Sequence, residues 1–209
     1  MLHILIADDH AIVSQGLKQL LQTQYPAAKI EEVRDTAALI EKAMNEPWDI
    51  VITDINMPGT NGLEALQQIR EVHPGLPFLV MSMYPEEQYA LRALKAGASG
   101  YLAKDKVHEE IGQAVKTVLQ GKKFITISVA EQLTDSLIGY NQIEPHKQLS
   151  NREFDVFKML AEGKSISDIA IQLKLSPTTV STYRSRIMEK MKLKSNAELA
   201  RYALEKNLI

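Results

Sequence analysis

Five short strand-like runs, most of them rich in apolar and β-branched residues and separated by longer stretches of helical period, restrict this chain more than any other feature. His3-Ile4-Leu5-Ile6-Ala7 is the first, Lys29–Val33 the second and Asp49-Ile50-Val51-Ile52-Thr53 the third. Phe78-Leu79-Val80-Met81-Ser82 is the fourth and Ser99-Gly100-Tyr101-Leu102-Ala103 the fifth. A strand that is apolar on both alternating faces needs cover on both, which a parallel sheet between two helical layers supplies. The intervening segments carry helical stripes: Ile12, Leu17, Leu20 and Leu21; Leu63, Leu66 and Ile69; Val107, Ile111, Ala114 and Val118. Pro58-Gly59 and Pro74-Gly75 mark turns. The expected fold is a doubly wound α/β domain with five parallel strands, flavodoxin-like, in the order 2-1-3-4-5.

The second half has a different grammar. Residues 121–138 suit one short amphipathic helix, with Ile127, Leu133 and Leu137 on one side. Gly139 to Gln148 is polar, lacks a period and contains Pro145, so it reads as a linker. From Ser150 the pattern is all helix, over about 151–162, 166–173, 177–192 and 196–206. Ser150-Asn151-Arg152-Glu153 and Ser195-Asn196-Ala197-Glu198 have the spacing of capping boxes, and Ser165 to Asp168 is similar. Ser176-Pro177 places a cap and then a proline at the first helical position. Gly163 is placed to stop the first of these helices. The very short turn between the second and third suits a helix-turn-helix. The expected domains are 1–121, a linker with a short helix over 122–148, and a helical domain over 149–209.

Composition narrows the function classes. The chain has 209 residues and no cysteine, which excludes disulfides, thiolate metal sites and thiol catalysis. No apolar run is long enough to span a membrane, and the N-terminus lacks a signal-peptide pattern, so the expected location is the cytoplasm. The net charge of -2 conceals a split. Residues 1–145 hold 12 Lys+Arg against 19 Asp+Glu, a net of -7; residues 146–209 hold 12 against 7, a net of +5. A basic half can meet phosphate-rich partners such as double-stranded DNA.

Two constellations carry chemistry. Asp8 and Asp9 follow strand one, Asp54 follows strand three, Ser82 ends strand four and Lys104 follows strand five. All lie at the carboxyl edge of the expected sheet, where open α/β folds bind ligands. Three carboxylates in one crevice call for a cation, and oxygen donors suit Mg²⁺ or Mn²⁺. Asp54 can then act as a nucleophile toward a phosphoryl group, with Lys104 and Ser82 contacting its oxygens. Far along the chain, the helix from Ser176 to Met191 turns Val180, Ile187 and Met191 inward. Thr178, Ser181, Thr182 and Ser185 lie on the opposite face, a short polar face suited to the major groove. Lys174, Arg184, Arg186, Lys190, Lys192 and Lys194 surround it as phosphate contacts, with Thr179 beside them.

At this level of detail the sequence resembles a known class. Ile6-Ala7-Asp8-Asp9-His10, Asp54-Ile55-Asn56-Met57-Pro58-Gly59, Met81-Ser82, Ala96-Gly97-Ala98 and Gly100-Tyr101-Leu102-Ala103-Lys104 resemble the receiver domain of two-component response regulators. Leu149-Ser150-Asn151-Arg152-Glu153, Ile169-Ala170, Leu175 to Val180 and Lys190-Met191 resemble the LuxR-type helix-turn-helix. The combination is that of the NarL/FixJ class.

The resemblance implies that Asp54 accepts a phosphoryl group from a sensor histidine kinase. It implies Mg²⁺ held by Asp9, Asp54, the Asn56 backbone carbonyl and, through water, Asp8. Lys104 would contact the phosphate, and Ser82 and Tyr101 would form a switch in which Tyr101 turns inward. Phosphorylation would promote a homodimer that binds DNA, with RNA polymerase a further candidate partner. The last helix, with Ala197, Leu199, Ala200 and Ala203, would carry a dimer contact. Asp105 stands where many receivers have proline, which removes the residue that favours a cis bond there. The rival reading is a Mg²⁺-dependent phosphohydrolase with a helical cap, in which His10 is the nearest imidazole. No second acid follows Asp54 at two residues' distance, which disfavours it.

Overall fold

The computed structural model describes residues 1–58, 60–138 and 144–209, with the side chains of residues 132 and 135–138 left aside. Gly59, the Leu137 side chain and residues 139–143 of the expected linker thus lie outside what is described. The chain forms two compact units, Met1–Leu137 and Ile138–Ile209.

The first unit runs β1 (His3–Ala7), α1 (Ala11–Gln24), β2 (Lys29–Val33), α2 (Thr36–Asn45), β3 (Ile50–Asp54) and α3 (Gly62–Val72). It continues with β4 (Phe78–Ser82), α4 (Glu86–Lys95), β5 (Gly100–Ala103), α5 (Val107–Leu119) and α6 (Ile127–Ile138). All strand pairs are parallel, in the order β2-β1-β3-β4-β5. Alternation along the strands divides the core. Ile4, Ile6, Ile50, Ile52, Leu79 and Met81 form one cluster with Leu17 and Leu21 of α1 and Ile111, Ala114 and Val118 of α5. The intervening Leu5, Val51 and Val80 are equally buried, so the sheet is covered on both faces.

The sequence reading needs several adjustments. Strand three is shifted by one residue, so Asp54 closes β3 instead of following it, and β5 begins at Gly100. Ile12 does not join the inward stripe of α1: it is 88% exposed, because it lies on the outer side of the first turn. In α6 the assigned stripe is rotated, with Ile127 exposed and Val129 buried. The fold of the first unit also continues past Gly121. Phe124 packs on the core, donates its N–H to the Ser99 carbonyl at 2.9 Å and bridges to Gly100.

The second unit opens with a 3-10 turn, Pro145–Gln148, where the sequence suggested only linker. His146 is buried and its Nδ1 meets the Tyr202 hydroxyl at 2.9 Å, which ties this turn to the far end of the unit. Then follow α7 (Asn151–Ala161), α8 (Ile166–Leu173), α9 (Pro177–Met191) and α10 (Asn196–Glu205). Ser150 and Ser165 complete capping boxes with Glu153 and Asp168. Ser195 forms only half of one. Its hydroxyl accepts from Glu198 N–H, but the Glu198 carboxylate accepts from Lys194 N–H instead of Ser195. Gly163 ends α7 at φ +84, as a C-terminal glycine does.

Two glycines in the first unit differ in what they tolerate. A Cβ at Gly62 would overlap the backbone carbonyl of Asp54, whereas a Cβ at Gly16 in the exposed middle of α1 meets nothing. Gly62→Ala should therefore destabilise the unit by about 1–3 kcal/mol or more. Gly16→Ala should stabilise it by about 0.8–1 kcal/mol. Urea unfolding of both variants, read against the parent, checks the contrast.

Candidate functional site

Parallel register brings the acidic residues together. Ala7 pairs with Thr53, so the residues one step further, Asp8 and Asp54, emerge side by side. Both are almost completely buried, at 1% and 3% exposure. Lys104 comes across from the end of β5 and lies between them, its Nζ 2.6 Å from Asp54 Oδ2 and 2.7 Å from Asp8 Oδ2. Burial raises the Asp54 pKa and the neighbouring Asp8 adds to this, while Lys104 and the Asn56 N–H oppose it. For Lys104, burial acts to lower the pKa, but the two carboxylates outweigh it and the value is raised. The ammonium thus stays charged. With Asp9 in the same cluster, three carboxylates stand against this one cation, a formal charge of -2.

That deficit is the test of whether a divalent cation fits. Asp8 Oδ2 is buried, and the contact it makes is with the Lys104 ammonium at 2.7 Å. One ligand atom from each of Asp8, Asp9, His10 and Asp54 lies within 4.8 Å of the others. Hard oxygen donors at such spacing suit Mg²⁺ or Mn²⁺.

The loop after Asp54 is fixed by two devices. The Asn56 N–H donates to Asp54 Oδ1 at 3.3 Å, and Gly62 N–H donates to the Ile55 carbonyl at 2.8 Å. Thr36, buried at the start of α2, clamps the other end. Its N–H and hydroxyl both donate to the Pro58 carbonyl, and its oxygen accepts from the Thr60 N–H at 2.9 Å. Sequence reasoning passed over Thr36, because nothing in a β2–α2 junction signals a contact with a loop some 20 residues away in the chain.

Ser82 and Tyr101 lie next to this crevice. Ser82 is buried and its hydroxyl accepts from Tyr84 N–H at 3.2 Å. Tyr101 is already inside, 4% exposed, with its hydroxyl donating to the Tyr84 carbonyl at 2.7 Å. Burial raises its pKa strongly, so it is a neutral donor here. The expected inward turn of Tyr101 therefore starts from a ring that is inward. Asp105 sits in a 3-10 turn, Lys104–Lys106, and no cis peptide occurs among the described residues.

In the second unit, Ser176 caps α9 by accepting from Thr179 N–H, and Pro177 follows it. Val180, Ile187 and Met191 are buried and hold the helix in place. Thr178, Ser181, Thr182, Ser185 and Arg186 are exposed, as are Lys174, Lys192 and Lys194. Other members of the assigned set are partly engaged. The Thr179 hydroxyl is 2.8 Å from that of Ser176, and Arg184 Nε donates to Asn196 Oδ1 at 2.9 Å. Lys190 pairs with Glu153 of the α7 capping box at 2.6 Å. Leu199 and Ala203 of α10 point into the unit, so a dimer contact on that helix has Ala197, Arg201 and Leu204 available instead.

Residues 4–135 match the response regulator receiver domain, and residues 147–203 match the bacterial regulatory proteins of the luxR family. Oxygen regulatory protein NreC of Staphylococcus epidermidis is 34% identical over 214 residues, covering 99% of this chain and 98% of that one. The chain is a response regulator of the NarL/FixJ class. NreC of Staphylococcus carnosus is similar at 33% identity over 99% of this chain. Among solved structures, RcsB from Salmonella enterica serovar Typhimurium, bound to promoter rprA in the presence of the phosphomimetic BeF3-, aligns with a TM-score of 0.64. It is 26% identical and covers 97% of this chain and 98% of its own. A structure of two RcsB dimers bound to two parallel DNAs aligns at 0.59 with 27% identity, over 96% of this chain and 97% of that one.

Response regulators of this class are DNA-binding transcription regulators, which favours that reading over the phosphohydrolase one. Among the described residues no helix is long and apolar enough to cross a membrane. The residue that the sequence reading of this regulator undervalued is His10. It entered only as the nearest imidazole, yet its Nδ1 is 2.9 Å from Asp9 Oδ1 and 3.1 Å from Asp8 Oδ1.

Lys104→Met should strand two buried carboxylates. Breaking a buried ion pair from one side costs about 3–5 kcal/mol. Urea unfolding at neutral pH should show that loss, and Lys104→Met combined with Asp54→Asn should recover part of it. Equal stability of parent and Lys104→Met would contradict the geometry described.

Proposed function

We propose that Asp54 is phosphorylated by a sensor histidine kinase and that the acyl phosphate alters how two copies associate on promoter DNA. The carrying observation is the buried Asp54 carboxylate held 2.6 Å from Lys104 at the carboxyl edge of the sheet. An Asp54 oxygen forms a bond to phosphorus as the bond from phosphorus to the donor imidazole nitrogen breaks, and the freed imidazole keeps the electron pair. Lys104 is placed to hold a phosphoryl oxygen as a point charge. Asp8, Asp9, Asp54 and the Asn56 carbonyl would hold Mg²⁺. When bound, the ion neutralises charge on the transferring group. Ser82 can donate its O–H to the phosphate, and a hydroxyl drawn toward it would lengthen the bond it accepts from Tyr84 N–H and loosen the segment after β4 that Tyr101 also contacts.

Two surfaces support the partners. A recess of about 530 Å³ between α1 and the turn into α5 is lined by Ile12, Leu20, Lys104, Asp105 and His108. The exposure of Ile12 gives a kinase an apolar seat beside the phosphoacceptor. On α9, Thr178, Ser181, Thr182 and Ser185 form the face that would read base edges in the major groove. Arg186, Lys192, Lys194 and Lys174 would contact phosphate, with Arg184, Lys190 and Thr179 at the margin. One such helix reads few bases, so tight binding needs two copies on half-sites about one DNA turn apart. RNA polymerase remains a candidate partner of the DNA-bound dimer.

Incubation with acetyl phosphate and Mg²⁺, followed by mass spectrometry, should place one phosphoryl group on Asp54. EDTA should abolish uptake, because an anionic crevice repels an anion without the cation. Label retained by Asp54→Asn, or found on another residue, would refute the assignment. On the DNA side, Thr182→Ala or Ser185→Ala should change the consensus selected from a random DNA pool. Lys194→Ala should weaken all sequences alike and reduce the salt slope by about 0.9. Lys192→Ala should do the same, since alanine keeps the β-carbon that the φ of 55 at this position already accommodates.

A further inference from the structure

We infer that Asn196 is a positioning residue for DNA binding: it anchors Arg184 so that the outer edge of that guanidinium clamps one backbone phosphate with two hydrogen bonds. This rests on the reading of α9 as the helix that enters the major groove.

The anchor is a single bond across the turn between α9 and α10. Arg184 Nε donates to Asn196 Oδ1 at 2.9 Å. Asn196 opens α10, and the start of that helix is fixed separately by the Ser195 hydroxyl, which accepts from Glu198 N–H. The acceptor is thus carried on a capped helix end. A guanidinium is planar and rigid, so a bond at Nε leaves the edge made by the two terminal amino groups. Among the described residues neither of those groups has a partner, and no carboxylate pairs with Arg184. That edge matches two oxygens of one phosphate.

The place on the helix suits the same task. Arg184 lies three residues after Ser181, so the two are neighbours on the surface of α9. Ser181 belongs to the exposed polar face, and Arg184 is half-buried on its flank. A side chain on the flank of a groove-reading helix meets the sugar–phosphate wall, not the base edges.

Stability alone gives the bond little purpose. Asn196 is exposed, and a hydrogen bond made in water contributes little net free energy. What it does is restrict a long side chain before DNA arrives, and ordering done in advance raises affinity. Arg186 supplies the contrast within the same helix. It is exposed and has no side-chain hydrogen bond among the described residues, so it must become ordered on binding.

Fluorescence anisotropy of the full chain on DNA selected from a random pool tests this as a double-mutant cycle. Asn196→Ala should weaken binding about three- to tenfold. Because the residue is exposed and Ser195 keeps the cap, its urea unfolding should match that of the parent. Arg184→Ala should weaken binding further and lower the salt slope by about 0.9 per bound copy. Asn196→Ala should have no added effect in the Arg184→Ala background and its full effect in Arg186→Ala. Parent affinity in Asn196→Ala would overturn the inference and leave Arg184 as a phosphate contact. An equal loss with and without Arg184 would overturn it too, since Asn196 would then act by another route. Parent affinity and slope in Arg184→Ala would remove the clamp itself, while the groove-facing assignment of α9 would still be decided by the consensus that Thr182→Ala and Ser185→Ala select.

Discussion

The structure depends on one buried electrostatic arrangement, a lysine ammonium held between two carboxylates at the carboxyl edge of a parallel sheet. Removing Lys104, Asp8 and Asp54 from water is costly, and their mutual contacts offset that cost only because the strand ends hold them at 2.6 and 2.7 Å. The rest of the first unit serves this placement. Strands apolar on both faces need helices on both faces, and that layering aligns every strand end on one edge. Thr36 and Gly62 then fix the loop that leaves Asp54 from either end.

An arrangement with surplus negative charge is a natural input for a switch. Three carboxylates against one ammonium invite a dication, and a dication invites an anion in turn. Covalent addition of a phosphoryl group replaces one carboxylate charge by a group with more oxygens and more charge. Ser82 and Lys104 are the nearest side chains able to respond. Such a device shifts a population only by the difference in contact energy between states, so the output must sit close to balance. The second unit suits that role. It has its own caps and its own core, and its α9 carries an exposed polar face whatever happens at Asp54.

Much of this was legible from the sequence, and the failures have physical causes. Short runs, apolar in all but the charged Lys29–Val33, identified the five strands, and the serine caps located four helices of the second unit within about one residue. The carboxylate edge followed from topology alone, since parallel order fixes where strand ends meet. What the sequence could not supply was side-chain direction. Ile12 fits a helical stripe by spacing yet faces outward, because the first turn of a helix has core on only part of its circumference. His10 stood out only as the nearest imidazole, because spacing alone does not show that its exposed ring meets both Asp8 and Asp9. Lys190 looked like a free cation, but its partner Glu153 lies 37 residues earlier in the chain. Residues 144–148 looked like linker because no local pattern announces that His146 will meet Tyr202.

The central claim is that chemistry at Asp54 governs DNA binding by α9 of the second unit. Fluorescence anisotropy of the full chain on DNA selected from a random pool, with and without beryllofluoride and Mg²⁺, tests it directly. The account predicts tighter binding by about 5–150-fold with beryllofluoride, the range of a typical coupling energy, and no gain in Asp54→Asn. An unchanged affinity for the parent chain, or an equal gain in Asp54→Asn, would contradict it.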